Sequence, residues 1–525
     1  MLSELLGISG VWHLKIHAST ASPSIAGLMT LLAIIAAWIV HFFNISRRRQ
    51  QKSYDQEPPT LPYWIPWLGH AVHFLRNSNG IIDRAIAYFG NNRPFTIYAG
   101  GERLYILTNP KDVRQLYRKT RQLSFSPFVE TIVLNVYHFD EHDFKTLTAV
   151  HPVTGATILG ETHGFYRHHL LPGERLNTLK ARYIQELEHS MENITFPSEG
   201  VNLFPWVCDT IGSTSTSSVF GRGLLERNPG LLKDLWVFDE LHLWMISGMP
   251  RYFTQPGFDA RDRLLTAVEE YFDQGYAKKE ERLDMVWMRE EMISKTGLSR
   301  RARAALHLTI YWAMQTNSVR AAYWTLSYIL RTPSLLNKIR AEIAPAFSTS
   351  SPTKLINPDL IITDCPLFNA TFNEALRLTS GSASSRVVAE DTEVGGYILK
   401  VGGKVMAPSI QPHMDASMWG DDVEEFRPER FLNKDGQWDG EVERKMGYGF
   451  RPFGGGETFC PGRHFARFQD LTFVASVIHR WEARVPEKTT WPTELRNRSA
   501  IGVLDPSHIG PRVNFESRLN PEPSS

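Results

Sequence analysis

Cys460 carries the clearest chemistry in this chain. It lies in Phe453-Gly454-Gly455-Gly456-Glu457-Thr458-Phe459-Cys460-Pro461-Gly462-Arg463-His464-Phe465-Ala466, a glycine-dense loop running into a helical pattern over 462–479. Glycine has no Cβ, so such a loop lets the backbone approach something large and flat. The helix behind it would place amide donors and its positive end beside the sulfur, favouring thiolate over thiol. A thiolate so held is a metal ligand or a nucleophile; a cysteine beside a tight turn can also be an ordinary buried one.

Two further groups of residues bear on the same chemistry. Ala313-Met314-Gln315-Thr316-Asn317-Ser318 puts four consecutive polar side chains in the middle of an otherwise apolar helical pattern over 307–330, ended by Arg331-Thr332-Pro333. Buried polar groups are costly without partners, so these must bond either to a neighbouring helix or to something bound beside them. Glu374 and Arg377 stand three apart on one helical face among Phe368, Phe372, Leu376 and Leu378, where an acid and a base can meet but need a further partner.

The elements that position these groups follow from periodicity. Apolar residues spaced three and four apart predict helices over 176–191, 231–245 and 260–276. Residues 95–98 and 104–107, joined through Gly100-Gly101-Glu102, predict a β-hairpin, and 394–398 with 404–406 a second strand pair. Ser22 to Ile45 holds no Asp, Glu, Lys or Arg and is apolar at its centre, long enough to span a bilayer. Arg47-Arg48-Arg49 and Lys52 follow it, whereas only Glu4 and Lys15 precede it, which orients the body to the cytoplasmic side. The chain is thus expected to comprise a luminal segment over 1–21, a membrane anchor over 22–45, a basic and proline-rich hinge over 46–69, and a catalytic domain over 70–525.

The cysteine loop, Phe-x-x-Gly-x-x-x-Cys-x-Gly-Arg-x-x-Ala, resembles the haem-ligand loop of the cytochrome P-450 family. Glu374 and Arg377 resemble that family's Glu-x-x-Arg pair, and Phe426-Arg427-Pro428-Glu429-Arg430-Phe431 supplies Arg430 as its third member. The resemblance implies a mainly α fold with small β-sheets after one transmembrane helix. It implies haem b bound with Cys460 as the axial iron ligand, and contacts from Phe453, Gly456, Gly462, Ala466 and Arg386, the last to a propionate. Glu374, Arg377 and Arg430 would hold the loop in place. Ala313 and Asn317 would border the oxygen site, Thr316 and Ser318 would hold water, and Phe125, Phe128, Val129, Ile501 and Val503 would line the substrate pocket, unless those five are ordinary core.

The departures narrow the resemblance. The family's usual Ala-Gly-x-Asp/Glu-Thr-Thr has no counterpart acid here, and Asn317 stands at the oxygen-activating threonine. Thr458 replaces the arginine usually found two before the cysteine. Both features, with 498–506, are similar to the branch containing sterol 7α-hydroxylases and prostacyclin synthase. The implied activity is monooxygenation of a bulky sterol- or terpenoid-like lipid, in a setting such as secondary metabolism, using O2. Electrons would come from NADPH through a separate cytochrome P-450 reductase docking on Arg444, Lys445, Arg451 and Arg467, at the endoplasmic reticulum membrane. The rival implications are an isomerase or dehydratase of an oxygenated lipid that needs no redox partner, and a haem sensor or carrier without turnover.

Composition agrees with this frame. The 525-residue chain is 42% hydrophobic with 14 tryptophans, enough for a large core. A net charge of +1 without a basic stripe excludes nucleic acid as a partner. The three cysteines, Cys208, Cys365 and Cys460, are far apart and form no disulfide framework, leaving Cys208 and Cys365 to structural roles.

Overall fold

A computed structural model describes residue 30 and residues 56–65, 67–152, 154–275, 282–347, 356–494 and 502–518. Contacts group the chain into Met1–Asp55 and Gln56–Ser525. Of the expected anchor over 22–45 only Thr30 is described, so that expectation lies outside the described residues; no helix among the described residues is long and apolar enough to cross a membrane.

The body is mainly helical with small sheets, as expected. Its axis is the central helix, Arg300–Leu330, whose Ser299 side chain accepts the Ala302 N–H as N-cap. It starts seven residues before the expected position, because Arg300, Arg301 and Arg303 are good helix formers that reach outward to acidic partners. Helices Leu203–Phe220, Arg251–Gln274, Pro366–Thr379 and Arg463–Arg480 pack around it. Trp324, Tyr323 and Leu326 on it are fully buried in the largest apolar cluster. The expected helices over 176–191 and 231–245 are Glu174–Glu192 and Leu231–Ile246. The third begins earlier, at Arg251, and runs through Pro256.

The first hairpin forms as expected, Phe95–Ala99 against Glu102–Ile106, with Gly100 and Gly101 both at positive φ. That two-residue turn matches the strand twist and favours glycine at both places. The second expected pair is corrected. Gly395 and Gly396 form the same kind of turn, so Thr392–Val394 pairs with Tyr397–Leu399. Lys404–Pro408 instead enters the main sheet, parallel to Glu102–Ile106 and antiparallel to Ala383–Val388. Leu123–Ser124 completes that sheet at its edge. Part of the proline-rich stretch lies on the other edge, where Leu61 N–H donates to Thr96 O at 2.9 Å.

Candidate active site

The loop before helix Arg463–Arg480 holds Cys460 by its backbone. Cys460 N–H donates to Phe453 O at 3.1 Å, and Arg463 Nη1 reaches back to Cys460 O at 2.9 Å. Around the sulfur, burial pushes the thiol up, while the N–H groups of Gly462 and Arg463 and the Arg463 charge pull it down. The net direction is upward, with the helix-start amides acting in the expected sense against burial. A metal cation at the sulfur would reverse that balance, since a coordinating thiol is deprotonated outright. Ala466 closes the first helical turn by donating its N–H to Gly462 O at 2.8 Å.

The glycines of the loop also meet an aromatic ring. A Cβ at Gly455 or Gly456 would stand 2.7 or 2.8 Å from the ring of Tyr117, so both glycines allow this tyrosine to pack against the loop. Gly456 has in addition φ +63°, a conformation L side chains rarely adopt. Tyr117 is a site residue that the sequence pattern missed. Its hydroxyl meets Ser384 Oγ at 2.5 Å, and its position in a nine-residue amphipathic helix, Pro110–Arg118, gave no signal.

Beneath the loop lies the acid–arginine network. Arg377 makes a two-pronged contact with Glu374 at 2.7 and 2.8 Å, with both side chains fully buried. Arg430 Nε reaches Glu374 Oε1 at 3.3 Å, and Arg427 N–H donates to the same oxygen at 3.0 Å. The spare donors of Arg377 go to the carbonyls of His413 and Glu425, at 2.8 and 3.3 Å. Arg430 Nη1 contacts Trp419 O at 2.6 Å and Asp422 at 2.7 Å. His413 stacks no charge against them: it accepts Arg451 N–H at Nε2 and is 3.1 Å from Arg377 O at Nδ1, which fixes it as the neutral ring. The three expected members meet, and none is free for chemistry.

Arg386 is buried, with Nη2 donating to Thr458 Oγ1 at 2.8 Å. Its Nε is buried with no partner, and burial pulls its pKa below the usual arginine range. The side chain therefore fits an anionic group such as a haem propionate beside the cysteine loop. It also shows what Thr458 does here: it accepts the Arg386 guanidinium and donates to Gly455 O at 3.2 Å.

Along the central helix the faces divide. Ala313 is exposed although its neighbours Tyr311, Trp312, Gln315 and Thr316 are buried, so its face borders open space. Asn317, one turn on, shares that face, with partly buried Ile310 and Met314 beside it. Gln315 points the other way and bonds within the core, 3.1 Å from Thr216 Oγ1 and 3.3 Å from Gly212 O. Thr316 and Ser318 are buried on the flanks. Asn317 Oδ1 accepts Val503 N–H at 3.0 Å, which brings residues 502–505 onto this face.

The pocket candidates are placed unevenly. Phe125 and Phe128 are partly buried neighbours with ring centroids 5.6 Å apart, and Arg386 lies over the Phe125 ring at 5.1 Å. Val129 packs against the small cluster of Val133, Leu147 and Ile158. Val503 is buried and bridges to Ser380; Ile501 lies outside the described residues. The expected docking cations are corrected. Arg451 is buried and donates to Ala407 O at 3.0 Å and to Tyr448 O at 3.1 Å, so it faces no partner protein. Arg467 is engaged with Asn369 at 2.7 Å, while Arg444 is exposed and paired with Glu441 at 2.8 Å.

A cysteine held by backbone bonds at a helix start, a buried arginine with an unmet donor beside its loop, and an open helix face fit a haem-thiolate site. The family model for Cytochrome P450 matches residues 58–509. The chain belongs to the cytochrome P450 family. It is 26% identical over 85% of its length to cytochrome P450 monooxygenase poxD of Penicillium oxalicum, covering 91% of that protein. It is 23% identical over 93% of its length to cytochrome P450 7A1 of Rattus norvegicus, covering 98% of that protein. Among solved structures it superposes on retinoic acid bound cyanobacterial CYP120A1 with a TM-score of 0.66 and 17% identity, over 88% of this chain and 99% of that one. The protein is accordingly a cytochrome P450 monooxygenase. Its cofactor is haem b, with O2 and NADPH-derived electrons delivered through a reductase. Bound haem supplies activation of O2 and transfer of one oxygen atom to substrate.

Proposed function

We propose that this enzyme hydroxylates a bulky, lipophilic sterol- or terpenoid-like molecule, as a step in the biosynthesis of a specialised metabolite. The observation that carries this reading is the open face of the central helix: Ala313, Ile310 and Met314 are apolar, and the single amide beside them, Asn317, has its oxygen already engaged. Such a face favours an apolar ring system over a charged substrate. The fungal relatives are named as monooxygenases, and a vertebrate relative as cytochrome P450 7A1. Electrons come from a separate NADPH-dependent reductase, for which Arg444 is an exposed docking candidate paired with Glu441. The apolar run over 22–45 anchors the chain in the endoplasmic reticulum membrane with the body on the cytoplasmic side.

The absence of an acid on that face gives a second reading some ground: an isomerase of a lipid peroxide needs neither electrons nor a proton relay. The test is turnover of a sterol and terpenoid panel with NADPH and reductase, and of oxygenated lipids without them. The reading expects product only in the complete system, carrying one added oxygen atom. Product from an oxygenated lipid without NADPH would favour the isomerase, and haem binding with no product in either arm would favour a carrier.

A further inference from the structure

Residues 502–505 are fastened to the central helix at three successive points. Asn317 Oδ1 accepts Val503 N–H at 3.0 Å, Arg320 Nε donates to Asp505 Oδ1 at 2.6 Å, and Trp324 Nε1 donates to Leu504 O at 2.9 Å. Positions 317, 320 and 324 lie three and four apart, which puts them on one stripe of the helix. On the other side the loop is tied to the end of helix Pro366–Thr379, where Leu504 N–H donates to Thr379 O at 2.7 Å and Gly381 N–H to Gly502 O at 2.9 Å. Both edges of this short segment are thereby fixed.

The contact at Asn317 is shaped for this purpose. A Cβ at Gly502 would lie 1.7 Å from Asn317 Oδ1 and 2.3 Å from its Cγ, so the carboxamide rests directly on the glycine backbone. Val503 N–H can only donate, which fixes the amide oxygen toward the loop and leaves Nδ2 as the remaining polar group. Arg320 extends the tie sideways, reaching Asp239 of helix Leu231–Ile246 at 2.5 Å. Trp312 Nε1 holds the other Asp239 oxygen at 2.7 Å, and His242 stacks on the Trp312 ring with centroids 4.2 Å apart. The loop, the central helix and helix Leu231–Ile246 thus share one set of contacts.

We infer that Asn317 is a positioning residue that sets specificity: its oxygen clamps residues 502–505 as a rigid wall, and only its N–H faces the substrate space. This rests on the reading of the open helix face as the reaction site. It differs from the role of an oxygen-activating hydroxyl, because the amide oxygen is spent on the protein itself. Bulky ligands then meet a fixed wall, and small ones do not feel it.

The test uses the full haem-loaded protein and two probes, imidazole and clotrimazole, followed by the Soret shift, with hydrogen exchange resolved at Val503. Asn317→Ala and Asn317→Ser remove or shorten the acceptor and should speed Val503 exchange about fivefold, the effect of one lost hydrogen bond. Asn317→Asp retains an acceptor and should keep it protected. Gly502→Ala should speed exchange as Asn317→Ala does, and the double variant should be no worse than either alone. In the freed variants the clotrimazole-to-imidazole affinity ratio should change by about fivefold or more. Unchanged Val503 exchange in both Asn317→Ala and Asn317→Ser overturns the clamp, as does a fixed ratio where exchange has risen. Loss of the red-shifted ferrous carbonyl band from the unaltered protein would instead overturn the haem-thiolate reading, and Val503 exchange would still judge the clamp.

Discussion

The two sides of the site are built differently. Below, the Glu374–Arg377 pair is a closed, fully bonded unit: both side chains are wholly buried, and every described donor of the pair has an acceptor. Above, Asn317 and Arg320 hold a loop through contacts that remain partly open, with the side chain of Asp505 52% exposed. The lower half is made to be invariant in shape. The upper half is fixed by a few bonds that single substitutions can release, and this is where a family on one scaffold can vary its substrate.

The largest expected difference between the halves comes from Glu374→Ala. It leaves the Arg377 and Arg430 guanidinium groups buried without their carboxylate, a loss of about 3–5 kcal/mol. Urea midpoints and haem content should both fall steeply; a variant that retains both would show that the network is dispensable.

Arg320→Met tests the upper half and should cost less, about 2 kcal/mol, because Asp505 can turn to water while Asp239 keeps Trp312. Burial opposes the Arg320 charge, but Asp239 and Asp505 outweigh it and hold its pKa well above the usual range. A penalty equal to that of Glu374→Ala would erase the contrast.

Acid should reach the lower half through His413. Burial, then the Arg451 and Arg377 charges, lower His413 from 6.5 to about 3. The unfolded chain takes up a proton as pH falls through its ordinary value, whereas the folded ring stays neutral until far lower. Stability is therefore complete at neutral pH and declines below pH 6.5. For this ring alone the loss reaches about 2 kcal/mol near pH 5. Urea midpoints measured from neutral pH downward should show this decline, and it should shrink in His413→Asn.

The lower half was also the legible one. Cys460, Glu374 and Arg377 belong to short strings whose spacing fixes their geometry, and Arg430 comes from a third such string. The first hairpin could be read because Gly100-Gly101 states its own turn. The second strand pair could not, since Lys404–Pro408 suits any partner of matching pattern and the sheet order is decided by packing. The upper ties were invisible for a related reason. Arg320 finds Asp239 81 residues before it and Asp505 185 residues after it, and no local pattern encodes either pairing. Arg451 misled because arginine is usually at the surface; here three backbone carbonyls satisfy it in the core.

The most direct measurement is the carbon monoxide difference spectrum of the reduced, haem-loaded protein beside its Cys460→Ser variant. Ligation by Cys460 predicts the red-shifted carbonyl band of thiolate-bound ferrous haem in the unaltered protein, and its disappearance in the variant. A band that persists unchanged in Cys460→Ser would contradict the account.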